Sequence, residues 1–412
     1  MELWEFARGA KVGKRELLLN AQGLDAEELS WPFWFVAPLY PYGKRRTLRH
    51  EIVKDTIWTF DQIQGILYVV VPIRMTVVKL EAGGLLVYAP IAPTPECIRL
   101  VKELEAEHGE VKYIILPTVS GIEHKVFVGP FARRFPQALV FVAPNQWSFP
   151  INLPLSWLGL PMKRTQILPQ DSTQTPFGNE FAYEILGPID LRLGKFEEVA
   201  LFHKRSRTLF LTDTVISVPE TPPEIIQLDP YPLLFHARNS AKEPIVDNSW
   251  NRLQGWQRIV LFSLYFRPSV LETPKWRETF RQAISSPERS QKAFWGLYPF
   301  QWCFNWKTSF DAVRGQGRPF VAPILQIAIL NREPQKTLAW CDRVASWDFT
   351  QIVPCHFQSP ISATPQQFRQ AFSFLEKQSV ADSLPEADLE LIRQIATNLN
   401  KTGIIPPAKE KV

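Results

Sequence analysis

Cysteine is scarce in this chain of 412 residues, which has only four. None of the four stands at the Cys-x-x-Cys spacing of a zinc ribbon or a redox motif, and the chain is far longer than the small secreted domains that depend on disulfides. The composition therefore argues against a cysteine-based zinc site and against a disulfide framework. We expect a protein that works in a reducing compartment.

Long apolar runs are also missing. No stretch reaches the about 20 apolar residues that a membrane-spanning helix requires. The first eight residues contain two glutamates, whereas a secretory signal peptide begins with basic residues. We therefore expect a cytoplasmic protein, whose contact with any membrane would be peripheral.

A strong excess of charge of one sign is absent as well. The chain has 46 basic and 41 acidic residues, for a formal net charge of +5. Nucleic-acid binding normally requires a more concentrated basic surface, so nucleic acid is not an expected partner. By contrast, 45% of the residues are hydrophobic, which is enough to fill a large folded core.

The first part of the chain alternates between strand and helix patterns. Residues that are β-branched or aromatic predict a group of strands between positions 57 and 88. Thr94 and Pro95 are typical of a helix start, and Gly109 is typical of a helix end. A further strand is predicted over 111–116. This order predicts a sheet covered by helices, and therefore the α/β class.

Tryptophan is concentrated in one part of the chain. Six of the 14 tryptophans fall between positions 250 and 306, within a segment from 239 to 318 whose patterns predict helices. One interpretation is a helical layer of core, because aromatic side chains bury the most area per residue. The other is a surface for an anionic membrane or a protein, because mixed Trp and Arg suit a headgroup boundary. The residues predicted for that surface are Trp256, Arg258, Trp295 and Trp302.

Three short motifs carry candidate metal ligands. The turn after the strand at 111–116 reads Thr118-Val119-Ser120-Gly121-Ile122-Glu123-His124, a predicted hairpin ends in Leu211-Thr212-Asp213, and Cys355-His356 follows the last predicted strand. Through these motifs the chain resembles the metallo-β-lactamase superfamily, in particular a cyanobacterial and plastid branch of it. The resemblance covers positions 57 to about 239 and again 349–357. It implies an α/β fold in the form of a four-layer αββα sandwich, with metal ligands on loops at one edge.

The resemblance also divides the chain into parts. The segment rich in tryptophan interrupts the region that resembles the superfamily, so we interpret it as a helical insertion. The predicted parts are an N-terminal extension (1–56), the first part of the sandwich domain (57–238), the insertion (239–318), the remainder of the sandwich domain (319–380) and a C-terminal helix with a tail (381–412).

A reduced metal site is what the resemblance implies for the three motifs. Val119 and Gly121 stand where the superfamily has two histidines, Glu123 stands where it has an aspartate, and Lys195 replaces a further histidine. Two imidazoles and two carboxylates remain, which is a sufficient set for one Zn, Mn or Fe ion. The predicted ligands are Glu123, His124, Asp213 and His356. The other residues predicted to line the pocket are Thr118, Ser120, Lys195 and His236.

Two classes of function fit these residues. A metal-dependent hydrolase of an ester, a thioester or a phosphoester would use a metal-bound water as its nucleophile, with no catalytic side chain beyond the ligands. A non-catalytic binding or scaffold protein would instead hold a small molecule or a protein, in the reduced pocket or on the aromatic insertion. The distribution of the resembling branch would place such a protein at a photosynthetic membrane, peripheral to the thylakoid. The sequence leaves open which class applies, and so whether the protein is an enzyme.

Overall fold

Two β-sheets organise the protein, whose structure is a computed structural model that describes residues 25–119, 123–146, 154–377 and 384–412. The first sheet has seven strands, which lie side by side in chain order. Pairing is antiparallel up to the fourth strand and parallel from there onward. The strands are β1 (Leu48–Val53), β2 (Ile57–Ile66), β3 (Val69–Lys79), β4 (Leu85–Tyr88), β5 (Val111–Leu116), β6 (Leu139–Val142) and β7 (Thr165–Ile167).

The second sheet has five strands, and a separate two-stranded ribbon accompanies it. The remaining strands in chain order are β8 (Phe181–Asp190), β9 (Lys195–His203), β10 (Thr208–Leu211), β11 (Leu271–Glu272), β12 (Gln301–Trp302), β13 (Gln351–Pro354) and β14 (Ile361–Ser362). The sheet order is β14-β13-β10-β9-β8, and β11 pairs with β12 in the ribbon. Because β10 and β13 are parallel neighbours, the chain segments that follow them leave the sheet at the same edge.

Helices accompany both sheets. In chain order they are α1 (Pro95–His108), α2 (Glu123–Arg134), α3 (Glu224–Gln227), α4 (Tyr231–Ala237), α5 (Ser249–Tyr265), α6 (Trp276–Ile284), α7 (Trp306–Arg314), α8 (Pro323–Ala328), α9 (Pro334–Ala345), α10 (Pro365–Gln370) and α11 (Glu386–Lys401). A 3-10 turn at Gln291–Gly296 lies between α6 and β12.

Three buried clusters show how these elements stack. Apolar side chains of α1 and α2 pack with those on the outer face of the first sheet. Side chains on the inner faces of the two sheets share a second cluster, in which Tyr88 of the first sheet meets Phe210 of the second at 5.9 Å between ring centroids. The outer face of the second sheet packs with α8, α9 and α10. The predicted four-layer αββα sandwich is therefore confirmed.

Local sequence signals account for the ends of α1. The Thr94 hydroxyl accepts a hydrogen bond from the backbone N–H of Cys97 at 3.2 Å, and Pro95 occupies the first helical position, where no N–H is needed. Gly109 follows the helix with a φ of 95°, a conformation that disfavours residues with a Cβ. The helix predicted between these residues is confirmed with its ends.

The tryptophan-rich segment contributes its own core. Its longest helix, α5, is buried along most of its length, and Trp256 and Arg258 are 0% and 1% exposed. Arg258 donates to backbone carbonyls and lies over the Trp302 ring at 5.1 Å, which leaves Trp302 half-buried. The prediction that Trp256 and Arg258 form a surface is wrong, because α5 packs against the body of the protein. Of the four predicted surface residues, Trp295 alone is exposed.

The lengths and apolarity of the helices bear on membrane contact. Within the described ranges, none of the helices combines the length and the hydropathy that crossing a bilayer would require.

Candidate functional site

Two of the predicted ligands are histidines whose rings are held by backbone carbonyl groups. The Nδ1 atom of His124, in the first turn of α2, lies 3.0 Å from the carbonyl oxygen of Pro90. The Nδ1 atom of His356, just after β13, lies 2.8 Å from the carbonyl oxygen of Pro72. Because a carbonyl oxygen can only accept, each Nδ1 carries a proton and donates it. This arrangement leaves each Nε2 for another partner, as in metal-binding histidines.

The Nε2 atoms of the two rings differ in their surroundings. In His356, Nε2 lies 3.2 Å from Oδ1 of Asp213, which belongs to the turn after β10. In His124, Nε2 is buried and has no hydrogen-bond partner among the residues that the structure describes. An unpartnered buried polar atom costs about 1–3 kcal/mol. A group that supplied the missing partner to His124 would therefore relieve this cost.

The four predicted ligands act on one another's pKa. Burial lowers the pKa of His124 to about 4, and the charge of His356 adds to this effect. Burial would also lower the pKa of His356, but the hydrogen bond and charge of Asp213, with the charge of Glu123, raise it to about 9. Burial and the charge of Asp213 raise the pKa of Glu123, against the charge of His356. The charges of Glu123, His124, Asp213 and His356 therefore interact, and His356 and Asp213 are also in direct contact.

Glu198 on β9 organises the turn that carries Asp213, and sequence reasoning missed it. Its Oε1 accepts from the backbone N–H of Thr212 at 2.9 Å and from the Thr214 hydroxyl at 2.8 Å. Its Oε2 accepts from the backbone N–H groups of Asp213 and Thr214, both at 3.0 Å. Burial and the charge of Asp213 raise the pKa of Glu198 to about 7. The sequence feature that could have revealed it is the pair of adjacent glutamates, Glu197 and Glu198, inside a mostly apolar strand.

Arg74 on β3 holds the loop that carries His356, and it too was missed. Its guanidinium is buried and pairs with Asp61, with Nε 2.7 Å from Oδ1. The same group donates to the carbonyl oxygens of Pro354 at 2.7 Å and Phe357 at 3.2 Å, on either side of Cys355 and His356. Because these bonds join the first sheet to the end of β13, they fix His356 relative to the rest of the pocket.

Thr118, Ser120 and Lys195 are three further residues that the sequence predicts to line the pocket. The Thr118 carbonyl oxygen accepts from the Gln146 side chain at 3.2 Å, and Thr118 forms a bridge with Glu198 beside the site. Ser120 lies outside the described residues. Lys195 is exposed, and its Nζ donates to the Asn145 side chain at 2.9 Å.

His236 lies in an aromatic cluster rather than among the predicted ligands. Its Nε2 is 3.2 Å from the carbonyl oxygen of Leu67, and its ring lies 5.1 Å from that of Phe262 and 5.6 Å from that of Phe300. The ring is fully buried, and burial lowers its pKa to about 3. These contacts give His236 a packing role, in contrast to the prediction that it lines the pocket.

The donor chemistry suits one divalent ion, although the donors do not yet surround a common point. Two donors bound at about 2.0–2.2 Å to one tetrahedral ion lie about 3.3–3.6 Å apart, slightly more than the 3.2 Å between His356 Nε2 and Asp213 Oδ1. The Nε2 atom of His124 also lacks a hydrogen-bond partner among the described residues. In the described part of the chain, however, no group of three or more His, Cys, Asp or Glu side chains is arranged to hold an ion.

The chain matches one described family in sequence. Residues 54–374 match the family whose description reads "Domain of unknown function (DUF4336)". No curated protein matches the chain.

Solved structures that match the chain include metallo-β-lactamases and flavodiiron proteins. A metallo-beta-lactamase from Pontibacter korlensis is 14% identical, with 43% of this chain and 76% of that chain covered and a TM-score of 0.31. The Flv1 flavodiiron core from Synechocystis sp. PCC6803 is 11% identical, with 89% and 72% covered and a TM-score of 0.42. A putative diflavin flavoprotein A 5 from Nostoc sp. PCC 7120 is 10% identical, with 86% and 99% covered and a TM-score of 0.38.

Proposed function

We propose that this chain, which belongs to the DUF4336 family, is a metallo-β-lactamase-like, metal-dependent hydrolase with one reduced metal site. One observation carries the proposal. His124 and His356 each donate a hydrogen bond from Nδ1 to a proline carbonyl, so that Nε2 is the ring atom with which each would bind an ion. Asp213, beside Nε2 of His356, would be the third donor, and Glu123 would be the fourth.

The residues around these donors support the same function. Glu198 accepts both backbone and side-chain hydrogen bonds from the turn of Asp213, which restrains the Asp213 carboxylate. Arg74 restrains the loop of His356 in the same way. Metal sites tolerate little displacement of their ligands, so such restraint favours binding. A bound Zn, Mn or Fe ion would supply Lewis acidity and would lower the pKa of a water molecule.

The substrate class follows from that chemistry. Polarising a carbonyl or a phosphoryl oxygen accelerates attack of water on an ester, a thioester or a phosphoester. The negative charge of Asp213 and Glu123 would offset the charge of the ion, so that one divalent ion leaves the pocket near neutrality. We therefore expect hydrolysis of one of these three ester types.

A second candidate is a non-catalytic protein that binds a small molecule in the same pocket. Two observations favour it. His356 and Asp213 are in direct contact, and among the described residues no three His, Cys, Asp or Glu side chains are arranged to hold an ion. As an ion pair, the two side chains would satisfy each other without a metal ion. Such a pocket would recognise its ligand through Nε2 of His124 and the carboxylate of Glu123.

Metal analysis of protein purified without a chelator separates the two functions. The hydrolase should carry about one equivalent of Zn, Mn or Fe per chain. The His124→Ala/His356→Ala double variant should carry none, and it should lose any rise in melting temperature that the metal produces. His50→Ala is the matched control, because it removes a histidine from β1 outside the site.

The outcomes differ between the two candidates. Near-stoichiometric metal in the wild type and in His50→Ala, with loss in the double variant, supports the hydrolase. Only trace metal in the wild type, with no thermal stabilisation by added Zn, Mn or Fe, contradicts the hydrolase and favours the binding protein. Hydrolysis of model esters, thioesters and phosphoesters by the loaded protein then identifies the substrate class.

A further inference from the structure

Helix α6 presents its large apolar side chains to solvent. Trp276, Phe280 and Ile284 are 67%, 56% and 73% exposed. They recur every four residues and therefore share one face, and the rings of Trp276 and Phe280 lie 6.0 Å apart. Thr279 and Ala283, which lie beside this face on the helix, are buried. The helix is thus attached through small residues while its large apolar residues point outward, the reverse of an ordinary surface helix.

Other exposed apolar side chains surround this helix in the sequence. The 3-10 turn that packs on α6 carries Trp295, which is 63% exposed and has a φ of 55°. A left-handed backbone is unfavourable for a residue with a Cβ, yet here it places an indole at the surface. The exposed large apolar residues between 239 and 318 are Val246, Trp250, Phe266, Trp276, Phe280, Ile284, Trp295 and Phe304. Contiguous exposed apolar side chains, as on α6, typically mark an interaction surface.

Two basic side chains, Arg277 and Arg281, border the apolar face of α6, and Lys275 directly precedes the helix. Lys275, Arg277 and Arg281 are exposed, and none of them forms an ion pair within the part of the chain that the structure describes. The stretch from 275 to 295 has five basic residues and two acidic ones. A helix that combines an exposed apolar face with unpaired basic residues is typical of segments that lie in the surface of an anionic membrane.

We propose that α6 docks on the surface of an anionic lipid bilayer. Trp276, Phe280 and Ile284 enter the boundary between headgroups and acyl chains. The basic residues of the same helix meet the headgroup phosphates. Charge selects this partner over a second copy of the chain, because two copies facing through α6 would bring like charges together. The proposal does not depend on the chemistry of the pocket.

Co-sedimentation with vesicles tests the docking surface. The probes are phosphatidylcholine vesicles with and without phosphatidylglycerol as one third of the lipid, at low salt. Replacing Trp276 or Phe280 by Ser should weaken binding to the anionic vesicles by about tenfold each. The Arg277→Gln and Arg281→Gln variants should each bind the anionic vesicles about fivefold more weakly, and added salt should also weaken binding.

Trp157→Ser provides the matched control, because Trp157 is an equally exposed tryptophan outside the segment from 239 to 318. Its affinity for anionic vesicles should equal that of the wild type. Absence of wild-type binding at low salt would overturn the proposal, and so would binding that the α6 variants leave unchanged. A wild-type dimer that Trp276→Ser dissociates, without vesicle binding, would identify a second copy as the partner and would also overturn it. Melting temperatures of all variants should match the wild type, since every altered residue is exposed.

Discussion

Helix α6 and the pocket around Asp213 differ in opposite ways from an ordinary protein, in which charged side chains are exposed and large apolar side chains are buried. In the pocket, charged groups are buried, as in Glu198 with 0% exposure and Arg74 with 3%. Each of these groups has several hydrogen-bond partners that offset the cost of burial. On α6, by contrast, large apolar side chains face water. The charged groups of the pocket are therefore stabilised by contacts within the protein, whereas the apolar side chains of α6 are left open to solvent.

The sharpest way to test this difference is to compare two tryptophans of the same segment. Trp256 is fully buried, donates from its indole N–H to the carbonyl oxygen of Pro219 at 3.0 Å, and lies 6.1 Å from the ring of Phe357 beside His356. Trp256→Ala should lower the free energy of unfolding by about 3–5 kcal/mol, because it leaves a cavity. Trp276→Ala should change it by less than about 0.5 kcal/mol, because that side chain is already exposed. Urea unfolding at pH 7 measures both.

Similar losses of unfolding free energy in Trp256→Ala and Trp276→Ala would contradict the difference between a buried and an exposed tryptophan. A large loss at Trp276 would mean that α6 is packed against the body of the protein. A small loss at Trp256 would mean that the insertion contributes little core. The expected difference between the variants is large enough to survive the usual error of extrapolation to water.

A smaller effect is expected where a carboxylate of the pocket loses its charge. Glu198→Gln replaces one acceptor oxygen by an amide that cannot accept from the backbone N–H groups of Thr212, Asp213 and Thr214. We expect the free energy of unfolding to fall by about 2 kcal/mol. The control is Glu103→Gln, which weakens surface ion pairs with Arg49 and Arg99 and should cost less than about 1 kcal/mol. Equal effects in urea unfolding would show that Glu198 does not hold the turn.

Local signals in the sequence predict the parts of the fold that are set by neighbouring residues. The ends of α1 follow from Thr94, Pro95 and Gly109 because capping and the left-handed conformation depend on a few adjacent residues. The αββα sandwich follows from the resemblance carried by the ligand motifs. The same motifs predict the contact between Asp213 and His356, since they place these residues in the turns after β10 and β13. The meeting of all four predicted ligands stays a prediction.

Long-range contacts account for what the sequence does not reveal. Arg74 forms a hydrogen bond with Pro354, and Glu198 forms one with Thr214. The sequence around each residue gives no sign of these bonds. The faces of the insertion are hidden for a related reason. Trp276, Phe280 and Ile284 recur at the spacing of a core-facing stripe, yet it is Trp256 on α5 that is buried. Periodicity identifies a face of a helix, but only the tertiary structure decides whether that face is covered.

The smallest of the expected effects is a pH dependence that belongs to the aromatic packing beside the insertion. Burial lowers the pKa of His236 to about 3, against an ordinary value of 6.5. Between these values the unfolded chain binds a proton that the folded chain does not, so the stability from neutral His236 falls as pH decreases below 6.5. His236→Gln removes this titration. From pH 7 to pH 5.5 the wild type should therefore lose about 1 kcal/mol more than the variant in urea unfolding. An equal loss of unfolding free energy in the two proteins would contradict this prediction. It would show that His236 takes up a proton in the folded state, and therefore that water reaches the aromatic cluster around it.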